Sequence, residues 1–212
     1  TLASDSETVL MDTLLEDSYK NAYEVTKDLK EGVVLAVETL ANEALYYKQH
    51  VAHESFGKKI VKEDGTEIYD ETDDDFEAEV KDDCLTIVYR LLFIFYAESR
   101  SELEILPTSD EIYKQGYSLE MLRDLEQTRL NSQQSRDGYF FDDSIQHLFQ
   151  LLSSGYNKAD SMINNKSFRI RPIDSPLFDN KRLHHLGDVR IRNCKWQEII
   201  CALSLSKKNS RF

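Results

Sequence analysis

The run Asp82-Asp83-Cys84-Leu85-Thr86-Ile87-Val88-Tyr89-Arg90-Leu91-Leu92-Phe93-Ile94-Phe95-Tyr96-Ala97-Glu98-Ser99-Arg100, continued by Ser101-Glu102-Leu103-Glu104-Ile105-Leu106-Pro107, decides the fold. Leu85, Val88, Leu92 and Phe95 recur at helical spacing, and Ile87, Leu91, Phe93, Ile94 and Tyr96 occupy the other faces. A helix that is apolar nearly all round must be buried on several sides. Asp82 and Asp83 suit the positive end of the helix dipole and place its start there, while Pro107 stops it. Arg90, Glu98 and Arg100 are the charged members of this apolar stretch. Buried charges require partners, so each is expected to pair with a different helix or with backbone carbonyls, bracing a bundle. Arg90 and Glu98 stand about two helical turns apart, too far for a simple pair with each other.

The rest of the chain fits a mainly α fold, an irregular multi-helix bundle around this buried helix. Its 212 residues are enough to bury a sizeable core as one domain, and seven glycines and three prolines suit helices better than a many-turned β-fold. On the N-terminal side, Ser6 to Tyr47 reads as two helices or one broken one. Leu10, Leu14 and Leu15 form a short stripe, and Leu29, Val33, Val37, Leu40 and Ala44 a longer one. Tyr19, Tyr23, Tyr46 and Tyr47 are expected at core or rim positions rather than as a base-stacking set.

Residues 54–78 break the helical rhythm. Lys59–Lys62 and Thr66–Tyr69 flank Glu63-Asp64-Gly65, and Asp-Gly is a favoured hairpin turn. The acidic run Asp70 to Asp75 reads as a solvated loop; it lacks the ligand register and the central Gly of a calcium-binding loop. Glu79-Val80-Lys81 matches half of a metal-dependent nuclease site, but no apolar strand precedes it to hold it rigid.

Beyond Pro107, Ser118 is expected to cap a helix carrying Met121, Leu122, Leu125 and Leu130, and Asn131 to Gly138 to form a polar loop. Asp142 or Asp143 then caps a helix with Ile145, Leu148, Phe149, Leu151 and Leu152, ending at Gly155. Phe168, Ile170 and Ile173 read as a short strand with a basic outer face, and Ser175-Pro176-Leu177-Phe178-Asp179 as a turn. Asn193 caps a last helix bearing Trp196, Ile199, Ile200, Leu203 and Leu205. Cys84, Cys194 and Cys201 share no metal-ligand spacing and are expected as buried thiols. The adjacent His184 and His185 cannot share one helix face, so no metal is expected.

Charge divides the chain. The net charge is −13, yet residues 1–83 hold 23 acidic and 8 basic side chains, whereas residues 158–212 hold 5 acidic and 12 basic. A globally basic nucleic-acid binder is excluded, but the basic C-terminal subregion, 158–212, permits a local phosphate-facing surface. Its candidates are Arg169, Arg171, Lys181, Arg182, Arg190, Arg192 and Lys195. The longest apolar run falls short of the roughly 20 residues of a membrane span, and no signal-peptide pattern opens the chain. A soluble, cytoplasmic protein with no membrane partner is the expectation. With Thr1 in place of an initiator Met, a fragment is expected. No Gly-rich phosphate loop, nucleophile elbow, kinase signature or Pro-Pro pair occurs, so no catalytic residue is assigned.

Tyr89-Arg90-Leu91-Leu92-Phe93 with Tyr96-Ala97-Glu98-Ser99-Arg100 and Leu106-Pro107 resembles the helical region preceding the catalytic core of large bacterial adenine-specific DNA methyltransferases. These are the type II restriction-modification fusion enzymes and the methyltransferases of the BREX and DISARM phage-defence systems. Tyr117-Ser118-Leu119 with Leu122-Arg123, Ser175 to Asp179, and Asn193 through Trp196, Ile199-Ile200 and Leu203-Ser204 are similar to the same family. The resemblance spans about Ser6 to Ser206, with 54–78 as an insertion. It implies a single helical spacer domain over 1–212 that braces the methyltransferase core of its own polypeptide and contacts double-stranded DNA. S-adenosylmethionine and the adenine-N6 chemistry would belong to the core that follows, and endonuclease activity to a domain before Thr1. The chain itself would hold no cofactor and no metal. A stand-alone helical module that meets a basic partner through its acidic half is the alternative.

Overall fold

A computed structural model describes residues 2–126, 130–156 and 169–204, with side chains from Lys20 onward apart from those of 21, 22, 126 and 180. The fold is mainly helical with one small antiparallel hairpin. The expected stripe at Leu10, Leu14 and Leu15, the side chain of Tyr19, and residues Phe168 and Leu205 lie outside the described set.

The N-terminal segment is one unbroken helix, α1 (Leu2–Tyr47), rather than two. A five-residue π-turn, Lys48–Ala52, ends it, closed by His53 in the left-handed region. The hairpin follows as β1 (Lys58–Val61) and β2 (Glu67–Asp70), paired Lys58 with Asp70 through Val61 with Glu67. Gly65, at φ 83°, supplies the turn conformation that a side chain resists.

The central helix starts earlier than its apolar run. α2 (Asp74–Ser99) is capped by Asp73, whose carboxylate accepts the N–H groups of Asp75 and Phe76. The acidic run is therefore not one loop: Asp70 ends β2, Glu71 and Thr72 turn the chain, and Asp73 to Asp75 form the cap and first turn of α2. Carboxylates there meet the helix dipole and the exposed backbone donors together. Phe76, Val80, Cys84, Ile87, Val88, Leu91, Ile94 and Ala97 enter the core, whereas Tyr89 and Tyr96 face solvent.

Four short helices follow: α3 (Glu111–Gly116), α4 (Leu119–Glu126), α5 (Gln133–Asp137) and α6 (Phe140–Ser154). Ser118 accepts the Met121 N–H at the start of α4. The expected polar loop contains α5, because Ser132 and Ser135 close a reciprocal capping box. α6 begins at Phe140, ahead of both expected caps. Gly155 ends it at φ 76°, where an added Cβ would lie 2.7 Å from the Pro172 ring. Of the expected strand, Ile170 forms a single bridge to Tyr156.

The last helix, α7 (Asn193–Ser204), packs against α1, α4, α5 and α6, so it shares the centre of the bundle with α2. Trp196, Ile199 and Ile200 are fully buried on it. Gly32 lets α1 approach α7 so closely that a Cβ there would fall 2.0 Å from the Ala202 carbonyl oxygen. Asn193 serves another helix than its own: its Oδ1 accepts the Phe141 N–H at the start of α6, and its Nδ2 donates to the Ser135 carbonyl. Among the described residues, no helix is long and apolar enough to cross a membrane.

Candidate nucleic-acid interface

The charged residues fall into two groups, those spent inside the fold and those left on its surface. Arg90 is completely buried on α2 between the rings of Phe149 and Phe178. Its Nε donates to the Leu177 carbonyl at 2.6 Å, and one terminal nitrogen donates to that of Asp179 at 3.0 Å. Burial lowers its pKa to about 10, still leaving it charged at neutral pH. Glu98, partly buried two turns on, accepts the Tyr113 hydroxyl at 2.8 Å and the N–H groups of Leu119 and Glu120 at 2.8 and 3.0 Å. Burial raises its carboxyl pKa and also that of the Tyr113 phenol. Arg100 stands apart from this brace. It follows the last turn of α2, is exposed, and pairs with Glu102.

Three further carboxylates do similar work: Asp83 and Asp142, expected only as acids at helix starts, and Glu43, which the sequence did not single out. Asp83, fully buried, accepts the backbone N–H groups of His184, His185 and Leu186 at 3.0, 2.7 and 3.0 Å. Asp142, inside the first turn of α6, accepts Trp196 Nε1–H at 3.0 Å and the Ile191 N–H at 3.3 Å. Glu43 of α1 takes the Arg192 guanidinium at 2.5 and 3.0 Å, over the Tyr46 ring. The signal for Glu43 lay in its phase, three residues beyond Leu40 on the buried stripe. For Asp83 it was the carboxylate directly preceding an apolar run.

The seven candidate cations divide accordingly. Arg192 is held by Glu43, which raises its pKa further, and also lies near Asp137. Arg190 pairs with Asp143, approaches Asp142 and stacks on Tyr139. Lys195 is bonded to Glu198 one turn on. Arg169 and Arg171 are exposed on either side of the buried Ile170, as extended backbone requires. Lys181 and Arg182 are exposed on a 3₁₀ turn, Asn180–Arg182, directly after the segment that Arg90 holds. Exposed guanidinium and ammonium groups such as these four, with no carboxylate partner among the described residues, are the type that neutralises phosphates and fixes register without reading bases.

The remaining expectations concern metals and thiols. No group of three His, Cys, Asp or Glu side chains converges in metal-binding fashion among the described residues. His185 Nε2 lies 2.8 Å from Glu79, so Glu79 meets a histidine across the fold. Cys84 is buried and its pKa is pushed up to about 12 by burial, whereas Cys194 and Cys201 are only half-buried; none of the three is in a disulfide. Comparison with protein-family models, with curated proteins and with solved structures found no match to this chain.

Proposed function

We propose that this chain is the helical spacer of an adenine-specific DNA methyltransferase from a restriction-modification or phage-defence system, a cytoplasmic region that braces the catalytic core and touches the DNA backbone. One observation carries the reading. The separated segments that resemble that family meet in space at the charges of α2. Arg90, within Tyr89–Phe93, holds Leu177 and Asp179 of the Ser175–Asp179 segment, and Glu98 holds Leu119 and Glu120 beside the Tyr117–Leu119 segment. A spacer has to keep its shape under load from its neighbours, and fully bonded buried charges fix relative geometry better than apolar packing alone.

Arg169, Arg171, Lys181 and Arg182 are the proposed phosphate contacts, with Arg190, Arg192 and Lys195 relegated to intramolecular pairs. The test is fluorescence anisotropy with a labelled duplex across a salt series. Binding should weaken steeply as salt rises, and replacing those four residues by Ala should flatten the slope, each lost phosphate contact reducing it by about one. Salt-independent binding, or a slope unchanged in the quadruple variant, removes the DNA-contact role. The parent coding sequence should continue past Phe212 into Gly-rich and Asn-Pro-Pro motifs. The charge split favours a second reading, a stand-alone module whose acidic half meets a basic partner, and a coding sequence without those motifs would select it.

A further inference from the structure

A groove of about 660 Å³ runs between α1 and α2, bounded by the base of the hairpin. Val37, Ala41 and Leu45 line it at successive turns of α1, and Phe56, Phe76 and Val80 contribute from the other side. Those α1 residues are only partly covered by the core beneath them. From Val37 to Leu45 the apolar wall extends about 12 Å along the helix, room for two to three turns of a partner helix.

The rim is predominantly negative. Glu38, Glu71, Asp74 and Glu77 are exposed around it, against the single cation Lys81. Glu71 receives a hydrogen bond from Gln49, whereas Glu38, Asp74 and Glu77 have no cationic partner among the described residues. Four carboxylates bordering an apolar trough repel phosphate backbones and anionic lipid surfaces. They suit a chain segment that carries apolar side chains on one face and Lys or Arg beside them.

We propose that this groove docks a basic amphipathic helix of a partner protein, its apolar side chains at i, i+3 and i+4 between α1 and α2 and its cations on the rim carboxylates. The proposal goes beyond the spacer reading and is independent of it. Loss of DNA binding leaves it standing, and loss of peptide binding says nothing of the basic residues at the other end of the chain.

The experiment is anisotropy and calorimetry with three labelled 14-residue peptides. One has leucine at every third or fourth position and lysine elsewhere, the second scrambles the same composition to break the periodicity, and the third replaces lysine by glutamate. Only the first should saturate. The exposed Glu38→Lys/Glu77→Lys double variant and, separately, Ala41→Arg should each weaken it at least about tenfold. Glu63→Lys, on the hairpin turn, should leave it unchanged. Circular dichroism and melting of each variant establish folding; should Ala41→Arg fail to fold, the double charge reversal alone decides. Equal binding of the scrambled peptide, a dissociation constant within about twofold of wild type in the folded variants, or no saturable binding overturns the proposal. Self-association by sedimentation that disappears in Glu38→Lys/Glu77→Lys would give the groove to a second copy and overturn it equally.

Discussion

Replacing Asp142 by Asn should remove a contribution to stability that falls as pH rises, opposite in sign to that of an ordinary salt-bridged carboxylate. Asp142 is 2 % exposed, and burial raises its pKa from the ordinary 3.8 to about 6, against the hydrogen bonds from Trp196 and Ile191 and the nearby Arg190. A carboxyl that binds its proton more tightly when folded contributes stability that is complete below pH 3.8 and is lost as pH rises through about 6. The displacement corresponds to roughly 3 kcal/mol over the whole range, and about 2 kcal/mol falls between pH 4.5 and 7.5. Asn keeps an oxygen to accept the Trp196 and Ile191 N–H groups but cannot titrate. Urea unfolding at several pH values, read through the single tryptophan, gives the difference between variant and wild type. That difference should move in favour of Asn by about 2 kcal/mol as pH rises across the window. A difference constant within about 0.5 kcal/mol would mean that Asp142 titrates like an exposed carboxyl, and the reasoning from burial would fail.

Two further outcomes follow from packing. Arg90→Met keeps most of the side-chain volume but removes donors from the carbonyls of Leu177 and Asp179. Charge-assisted bonds are worth about 1.5–3 kcal/mol each, part of which is returned by no longer burying a cation, so a net loss of about 2–4 kcal/mol is expected in chemical denaturation. A wild-type unfolding midpoint would refute the brace. Gly32→Ala, stabilising by about 1 kcal/mol in an exposed helix, should here cost about 1–3 kcal/mol, because the new methyl meets the backbone of Ala202 rather than a yielding side chain; a raised melting temperature would show that α1 and α7 are not in close contact.

The apolar rhythm of α2, α6 and α7 was readable because burial on several sides leaves a compositional trace in the residues themselves. The hairpin was readable for a related reason, since Asp64-Gly65 satisfies a local backbone requirement. What escaped was the role of side chains whose partners are backbone groups far along the chain. The acids at 73–75 look the same in a solvated loop as at a helix start, and only the position of Phe76 against the core separates the two. Asn193 has the composition of a cap for its own helix, yet it satisfies α6 because the chain passes Gly138 at hydrogen-bond distance there. Which of the seven basic residues meet carboxylates was equally illegible. Arg192 and Arg171 are alike in local sequence, and only the arrival of Glu43 distinguishes them.

Asp83 and Arg90 stand two turns apart on α2, and between them they hold the stretch from Leu177 to Leu186, one by its N–H groups and the other by its carbonyls. These bonds close loops of 87 to 103 residues. A segment with so little regular structure cannot hold that path until α2 is in place, so it is a late participant in folding. In amide exchange the same arrangement reverses the usual rank of loops. The protons of His184, His185 and Leu186 are shielded by a helix a hundred residues away, and their release reports the opening of the whole domain rather than of the loop that carries them.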